Sequence, residues 1–394
     1  MLATLIRFTG DIGLAEDALQ DAVVVALRQW PASGTPRHPA GWLLTTARNK
    51  ALDRIRRESA RRSKERLSVM SDATLDDPVN IGLGSSLVAD DPLRLIFTCC
   101  HPALAPDARV ALALRTIARL RTSEIAAVFL VSEPTMAARV TRAKKKIAAA
   151  GIPYRVPDDH ELPDRLPAVL AVVSAIFTAG HHPADGGLHD RVNLAEEGLR
   201  LARLLVSLMP DEPECHGLLA LLLATHARRS ARVSTTGDAV LMEDQDRSMW
   251  DRSAIGEAHA LVEQTLRRRR VGPWQVQAAI SCLHGLAPSF AETDWLQIAE
   301  LYRVLERMQP SVAVRVNRAV AEAQADGPRV GLELLRSIDL ADVAGWHLYW
   351  SARSELERRA DLLDDARTSL RRALACDMND SDRRLLRARA NALG

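Results

Sequence analysis

The sequence predicts an all-α chain, and three observations carry that prediction. Aromatic residues make up 4% of the 394 residues, while Ala, Leu and Arg abound, a composition that favours helices over β-rich structure. Apolar residues recur at helical spacing in one segment after another. The segments are bounded by capping residues at their starts and by Pro or Gly breaks. A hydrophobic content of 47% supports a sizeable core, and the length suits two or three domains. No apolar run approaches a membrane span, and the N-terminus lacks the order of a signal peptide. Five cysteines, odd in number and scattered, argue against a disulfide framework and for a reducing cytoplasm.

The charge is uneven. The net charge is +2, yet residues 1–150 hold 22 Lys and Arg against 15 Asp and Glu, leaving +7 there and −5 in the remainder. A basic first part and an acidic second part suggest that the first part meets a polyanion.

The elements follow in order. Residues 11–29 form an amphipathic helix with Leu14, Ala18, Ala22 and Val25 on one stripe. Glu16, Asp17, Gln20 and Asp21 form an acidic patch on it, either a solvated face or a docking surface for a basic partner. Residues 30–40 hold three prolines and a glycine and are expected to be a loop. The next helix, 41–57, turns Leu44, Ala47, Ala51 and Ile55 inward, and Arg48, Asn49, Arg56 and Arg57 outward. From Arg48 to Arg66 there are nine basic residues against three acidic ones. Trp42, at the head of this basic helix, is either a packing residue or a surface for unstacked bases. Residues 67–90, with Asp72, Asp76, Asp77, Pro78, Gly82 and Gly84, read as an acidic linker.

A second helical module spans 91–150. Leu93, Ile96, Phe97 and Cys100 share one helical face, which makes Cys100 a core residue rather than a ligand. Pro106 starts the next helix. Thr122 to Lys146 then reads as two short helices joined at Leu130-Val131. Thr122 caps the first and Glu124 sits in its first turn; Ser132 caps the second, with Pro134 tolerated inside its first turn. Met136, Val140, Ala143 and Ile147 form a buried stripe. Thr135, Arg139, Arg142 and Lys146 occupy the opposite face, extended by Lys144 and Lys145. A capped helix with an apolar back and a basic front suits the DNA major groove.

The stretches Leu14-Ala-Glu-Asp-Ala-Leu-Gln-Asp-Ala22, Trp30-Pro31 and Trp42 to Arg57 resemble region 2 of the extracytoplasmic-function (ECF) sigma factors. Pro106 to Arg115 with Thr122 to Ile147 resembles their region 4. The resemblance implies core RNA polymerase and promoter DNA as partners. It places Glu16, Asp17, Gln20 and Asp21 on the polymerase-binding face. It places loop 30–41, Trp42, Arg48, Asn49, Asp53, Arg56 and Arg57 at the −10 element, and Thr135, Arg139, Arg142 and Lys146 at the −35 element. Two departures stand out. The first helix of region 2 is shortened by the position of Met1, and Arg119-Leu-Arg-Thr122 stands where the family usually has glycine.

Residues 158–394 read as a degenerate array of helical hairpins, with breaks at Pro210, Pro273 and Pro310. Segments such as Asp211 to Leu223, Gly272 to Ile280 and Val316 to Val320 resemble the ECF subgroup with a C-terminal tetratricopeptide-like domain. That resemblance implies a regulatory domain, and the charge split suggests its intramolecular contact with the basic modules. Phe177-Thr-Ala-Gly-His181 departs from the subgroup's Phe-Asn-Glu-Gly-Tyr. His181, His182, Asp185, His189 and Asp190 read as a polar loop rather than a metal site, Glu243 to Asp251 as a charged connector, and Arg267 to Arg270 as a solvated or ion-paired helix end. The expected organisation is therefore 1–66 for region 2, 67–90 for the linker, 91–150 for region 4 and 158–394 for the extension. No cofactor, metal or covalent catalysis is expected. A helix-turn-helix regulator that never binds polymerase, and a helical-repeat scaffold, remain the rival readings.

Overall fold

In the computed structural model, residues 1–66, 91–117, 119–129, 131–152, 161–181, 188–234 and 238–393 are described. The expected linker 67–90 lies outside them, as do the side chains of the histidine-bearing stretch 181–190. The described residues form helices and turns, with a single isolated bridge between Val233 and Ala239. The all-α class is therefore correct. The backbone divides into two compact units, 1–172 and 173–394.

The first unit begins with α1 (Leu2–Thr9), α2 (Ile12–Ser33) and α3 (Pro39–Arg66), which pack on one another. Asp11 caps α2 by accepting from the Leu14 N–H. The buried stripe of α2 is Ile12, Ala15, Ala18, Ala22 and Ala26. The expected stripe was one position out of phase: Ala18 and Ala22 belong to it, while Leu14 and Val25 only flank it. Alanine at four turns lets α3 come close, and Ala47 and Ala51 of α3 are fully buried. Leu44 is half-buried and Ile55 is exposed, so the inward face of α3 is narrower than the spacing predicted.

The expected loop at 30–40 is shorter than predicted. Helix α2 continues through Pro31 to Ser33, and α3 starts at Pro39. A proline in the last turn removes one backbone donor, and a proline at a helix start removes a donor that has no partner anyway. Gly34, at φ 81°, ends α2 and returns its N–H to the Trp30 carbonyl.

Next come α4 (Asp91–Cys99), α5 (Pro106–Thr116), α6 (Thr122–Val128) and α7 (Glu133–Ala149). Helix α5 is the hub: Ala111, Leu112, Ala113 and Leu114 are all buried, and α4, α6 and α7 pack on it. Cys100 is buried, as its spacing predicted, with its thiol donating to the Ala168 carbonyl. Burial pushes the Cys99 thiol up to about 12, and its sulfur contacts the Thr116 hydroxyl at 3.3 Å.

Helix α8 (Leu162–His181) crosses the division at 172. The second unit continues with α9 (Leu188–Leu208), α10 (Pro213–His226), α11 (Arg252–Leu266), α12 (Pro273–Leu286), α13 (Trp295–Met308), α14 (Val312–Asp326), α15 (Pro328–Arg336), α16 (Leu340–Val343), α17 (His347–Arg359), α18 (Leu363–Ala375) and α19 (Asp380–Ala392). Most neighbours in sequence pack on each other, which makes a helical array. Helix α10 is buried on nearly every side by α9, α11 and α12. Gly217 permits this: a Cβ there would lie 2.6 Å from the Gln275 backbone nitrogen in α12. Pro210, Pro273 and Pro310 all fall at helix boundaries, as expected. Arg268 and Arg270 pair with Asp211 and Glu212, so the basic end of α11 is an ion-paired helix end.

All five cysteines are free and buried. Among the described residues there is no cluster of metal-ligating side chains, and no helix is long and apolar enough to cross a membrane.

Candidate nucleic-acid interface

The α6–α7 pair is built from local rules. Glu124 reaches back to the Arg121 N–H at 2.6 Å, which satisfies a donor ahead of the first turn. Thr122 is thus the first helical residue, and the cap it was expected to supply comes from Glu124 instead. Ser132 caps α7, its hydroxyl accepting from the Thr135 N–H and contacting the Thr135 hydroxyl at 2.8 Å. Met136, Val140, Ala143 and Ile147 are all buried, as their spacing predicted. Helix α7 closes in a Schellman turn: Gly151, at φ 58°, lets the Ile152 N–H reach the Ile147 carbonyl.

The opposite face of α7 carries Thr135, Arg142, Lys145 and Lys146, all exposed. Arg139 differs from them. It is half-buried, pairs with Asp107 at 3.5 Å and lies over the Phe129 ring at 5.4 Å. Its guanidinium is therefore fixed within the unit, whereas Lys145 and Lys146 are exposed and Arg142 donates its Nε to the Ala138 carbonyl at 3.3 Å. Lys144 leaves this face altogether. It pairs with Glu16 of α2, and both side chains are largely shielded from solvent.

The α2–α3 pair presents the second set. Arg48, Asn49, Asp53, Arg56 and Arg57 are exposed along α3, with the Arg48 guanidinium 4.5 Å above the Phe8 ring. Trp42 is half-buried and meets Trp30 edge-on, with ring centroids 5.5 Å apart. The edge-on contact with Trp30 and the partial burial give Trp42 a packing role in this corner.

The acidic patch is less bare than the sequence suggested. Arg54 donates to Asp17 at 2.7 Å and to Asp21 at 2.8 Å. The Asp17 hydrogen bond raises the Arg54 pKa, and Asp21 adds to it. With Lys144 on Glu16, three of the four patch residues have a basic partner within the unit, while Gln20 is exposed. Sequence reasoning missed Arg54 and Lys144 as partners. Asp17 and Asp21, one turn apart on α2, were the available signal for a bidentate basic partner. The first unit thus presents two basic helix surfaces, each backed by buried apolar residues.

Comparison with known proteins gives three family matches. Residues 1–61 match Sigma-70 region 2, residues 94–147 match Sigma-70, region 4, and residues 165–266 match a family of unknown function, DUF6596. An uncharacterized protein of Rhizobium meliloti is 40% identical over 395 residues, covering 100% of this chain and 93% of the relative. The protein described as probable ECF RNA polymerase sigma factor SigI of Mycobacterium tuberculosis is 30% identical over 162 residues, 40% of this chain and 54% of that protein. ECF RNA polymerase sigma factor SigK of a Mycobacterium strain is 33% identical over 94 residues, 23% of this chain and 46% of that protein. The chain thus spans about half the length of these two curated relatives. No solved structure matches.

Proposed function

We propose that this chain, which matches Sigma-70 region 2 over residues 1–61 and Sigma-70, region 4 over residues 94–147, is a sigma factor that directs core RNA polymerase to promoters by reading two DNA elements. Helix α7 enters the major groove of the −35 element through Thr135, Arg139, Arg142 and Lys146. Helix α3 and the Trp30–Trp42 corner meet the −10 element through Trp42, Arg48, Asn49, Asp53, Arg56 and Arg57. Glu16, Asp17, Gln20 and Asp21 of α2 lie on the polymerase-docking face. Its work is binding, carried out in the cytoplasm, and polymerase performs the synthesis.

The observation that supports this reading best is α7 itself. It has a serine cap, a fully buried back and an exposed basic front beside one preset guanidinium. The domain boundaries follow as 1–66 for region 2, 67–90 for the linker and 91–150 for region 4. The remainder, tetratricopeptide-like in character, regulates the first part through an intramolecular contact, a role suggested by the +7/−5 charge split.

Reconstitution with purified core polymerase and a promoter library tests the reading. Arg139→Ala combined with Arg142→Ala should abolish promoter-specific run-off transcription while leaving helicity intact; unchanged transcription would remove the assignment of α7. A chain truncated after His181 keeps the α8 residues that cover Cys100 and tests the regulatory role. Initiation unaltered by that truncation would make the extension a passive appendage.

A further inference from the structure

The second unit holds two neighbouring arginines, Arg247 buried and Arg228 half-buried, that pair with no carboxylate among the described residues. Arg247 lies in the connector between α10 and α11 and is only 8% exposed. Its Nη1 donates to the carbonyls of His284 and Ala287, both at 2.7 Å, but its Nη2 is buried with no partner. Arg228, just beyond α10, has a buried Nε that also lacks a partner. Neither guanidinium has an ion-paired carboxylate among the described residues.

The two arginines share one aromatic neighbour. The Arg247 guanidinium lies 4.6 Å and that of Arg228 5.8 Å from the centre of the Trp250 ring. Trp250 is 3% exposed, and its indole N–H is buried without an acceptor. His284 of α12, whose ring meets Trp295 edge-on, has a buried Nδ1 without a partner. Burial holds the Arg228 pKa down at about 10, and Arg232 and Arg247 push it the same way. Burial likewise lowers His284 to about 4, with Arg228 and Arg247 adding to the effect.

Such an arrangement needs an explanation. Arginine is almost never deeply buried unpaired, and an unsatisfied donor costs about 1–3 kcal/mol, more when it is charged. Here two guanidiniums lie against one indole ring, each guanidinium and the indole has a buried nitrogen without a partner, and the two like charges repel. A solvated helix face does not account for it, because the donors are shielded from water. A structural ion pair does not either, because no carboxylate closes on them. Glu292 attracts Arg247 from a distance and makes no bond to it.

We propose that Arg228, Arg247 and the Trp250 indole N–H form a binding site for a small oxyanion, the carboxylate or phosphate group of a soluble metabolite. The planar forks of the two guanidiniums supply charge-assisted donors that match either group. His284, whose carbonyl accepts from Arg247, flanks the site, and Arg252 holds the connector by donating to the Gly285 and Arg247 carbonyls. The anion would tie α10, the connector, α12 and α13 together, which gives the second unit a chemical input of its own. This site stands independently of the DNA-reading surfaces.

The test uses the full chain in a chloride buffer free of oxyanions. Inorganic phosphate and citrate are titrated separately, with sodium chloride at matched ionic strength as control. Melting temperature and isothermal titration calorimetry are the readouts. Saturable binding at one site per chain is expected, with a melting temperature that climbs with the logarithm of anion concentration. The stronger of the two anions assigns the phosphate or the carboxylate class. Arg228→Met should weaken binding at least tenfold, since it removes a charged fork. Its anion-free melting temperature should stay close to the parent's, because Arg228 makes no side-chain hydrogen bond and relief of its repulsion by Arg247 offsets the lost contact with the Trp250 ring. Arg247→Met should also abolish binding, but Arg247 anchors two carbonyls, so Arg228→Met is the deciding variant. No saturable response to either anion beyond the chloride control would overturn the proposal, as would a response that Arg228→Met retains in full.

Discussion

Arg119 stands at the approach to the helix-turn-helix with φ 56°, in the left-handed region that favours glycine. The turn is held from both sides. The Leu120 N–H reaches back to the Leu114 carbonyl at 3.1 Å, and the Arg115 guanidinium donates to the Leu120 carbonyl at 2.9 Å. Arg119 itself is exposed and makes no side-chain hydrogen bond among the described residues. Its Cβ therefore bears strain that no contact offsets. A left-handed residue other than glycine costs about 1–2 kcal/mol, and glycine loses about 0.5–1 kcal/mol more backbone entropy on folding. Arg119→Gly should thus stabilise the first unit by about 0.5–1 kcal/mol. For a unit of this size that is a rise of about 1–4 °C in its melting transition. Arg119→Ala keeps the Cβ and should stay within about 0.5 kcal/mol of the parent. Scanning calorimetry of all three chains is the assay. If Arg119→Gly melts at or below Arg119→Ala, the turn is not strained by its side chain, and glycine in the family serves some other purpose there.

Four further outcomes follow from the structure. Replacing Arg142, Lys145 and Lys146 together by Ala should flatten the salt dependence of promoter binding by up to about 2.7 in logarithmic slope, about 0.9 for each phosphate no longer neutralised. Arg139→Ala, which removes the preset guanidinium, should change base preference more than slope; holoenzyme binding between about 50 and 200 mM salt separates the two. Met136→Ala empties the centre of the α6–α7 core, where Met136 is fully buried, and should cost about 2–5 kcal/mol, read as loss of amide protection in α6 and α7. Glu322→Gln should destabilise the second unit by about 2 kcal/mol, because Glu322 is buried and bridges Arg303 and Arg318. Burial alone would raise the Glu322 pKa, but those two arginines hold it below the usual carboxylate range. Its contribution is therefore complete above the unfolded carboxylate value and is lost as pH falls through the depressed folded value, so the variant should show a flatter acid limb in pH-dependent melting.

Local and periodic features were legible in the sequence. The α7 cap, the buried stripe from Met136 to Ile147 and the helix breaks at Pro210, Pro273 and Pro310 depend on residues within a few positions of each other. The phase of α2 was harder to read. Small alanines pack closer than the larger Leu14 and Val25, so the stripe ran through Ala15 and Ala26 instead. Pro31 looked like a helix breaker because local rules weigh the lost hydrogen bond, not the Trp30–Trp42 packing that accompanies the last turn. Partners distant in sequence were not legible. Lys144 and Glu16 are 128 positions apart, and Arg228 and Arg247 converge only because the connector folds back onto the Trp250 ring.

Those distant partners alter what the acidic patch can do. Asp17 and Asp21 stay well exposed in their pairing with Arg54, so exchanging that partner for a basic group on another protein costs little. Glu16 and Lys144 are both largely shielded, and separating them leaves each charge to be rehydrated or paired anew. If α2 docks as proposed, it must therefore draw most of its affinity from elsewhere on the helix. Val23, Val24 and Leu27 lie exposed there, Leu27 at 71%, on a helix whose other side is buried alanine. Burying about 100 Å² of such apolar surface is worth about 2.5 kcal/mol, more than an exposed ion-pair exchange returns. On the proposed function, the carboxylates steer and orient, the apolar side chains hold, and Lys144 becomes available to DNA only when Glu16 has found another cation.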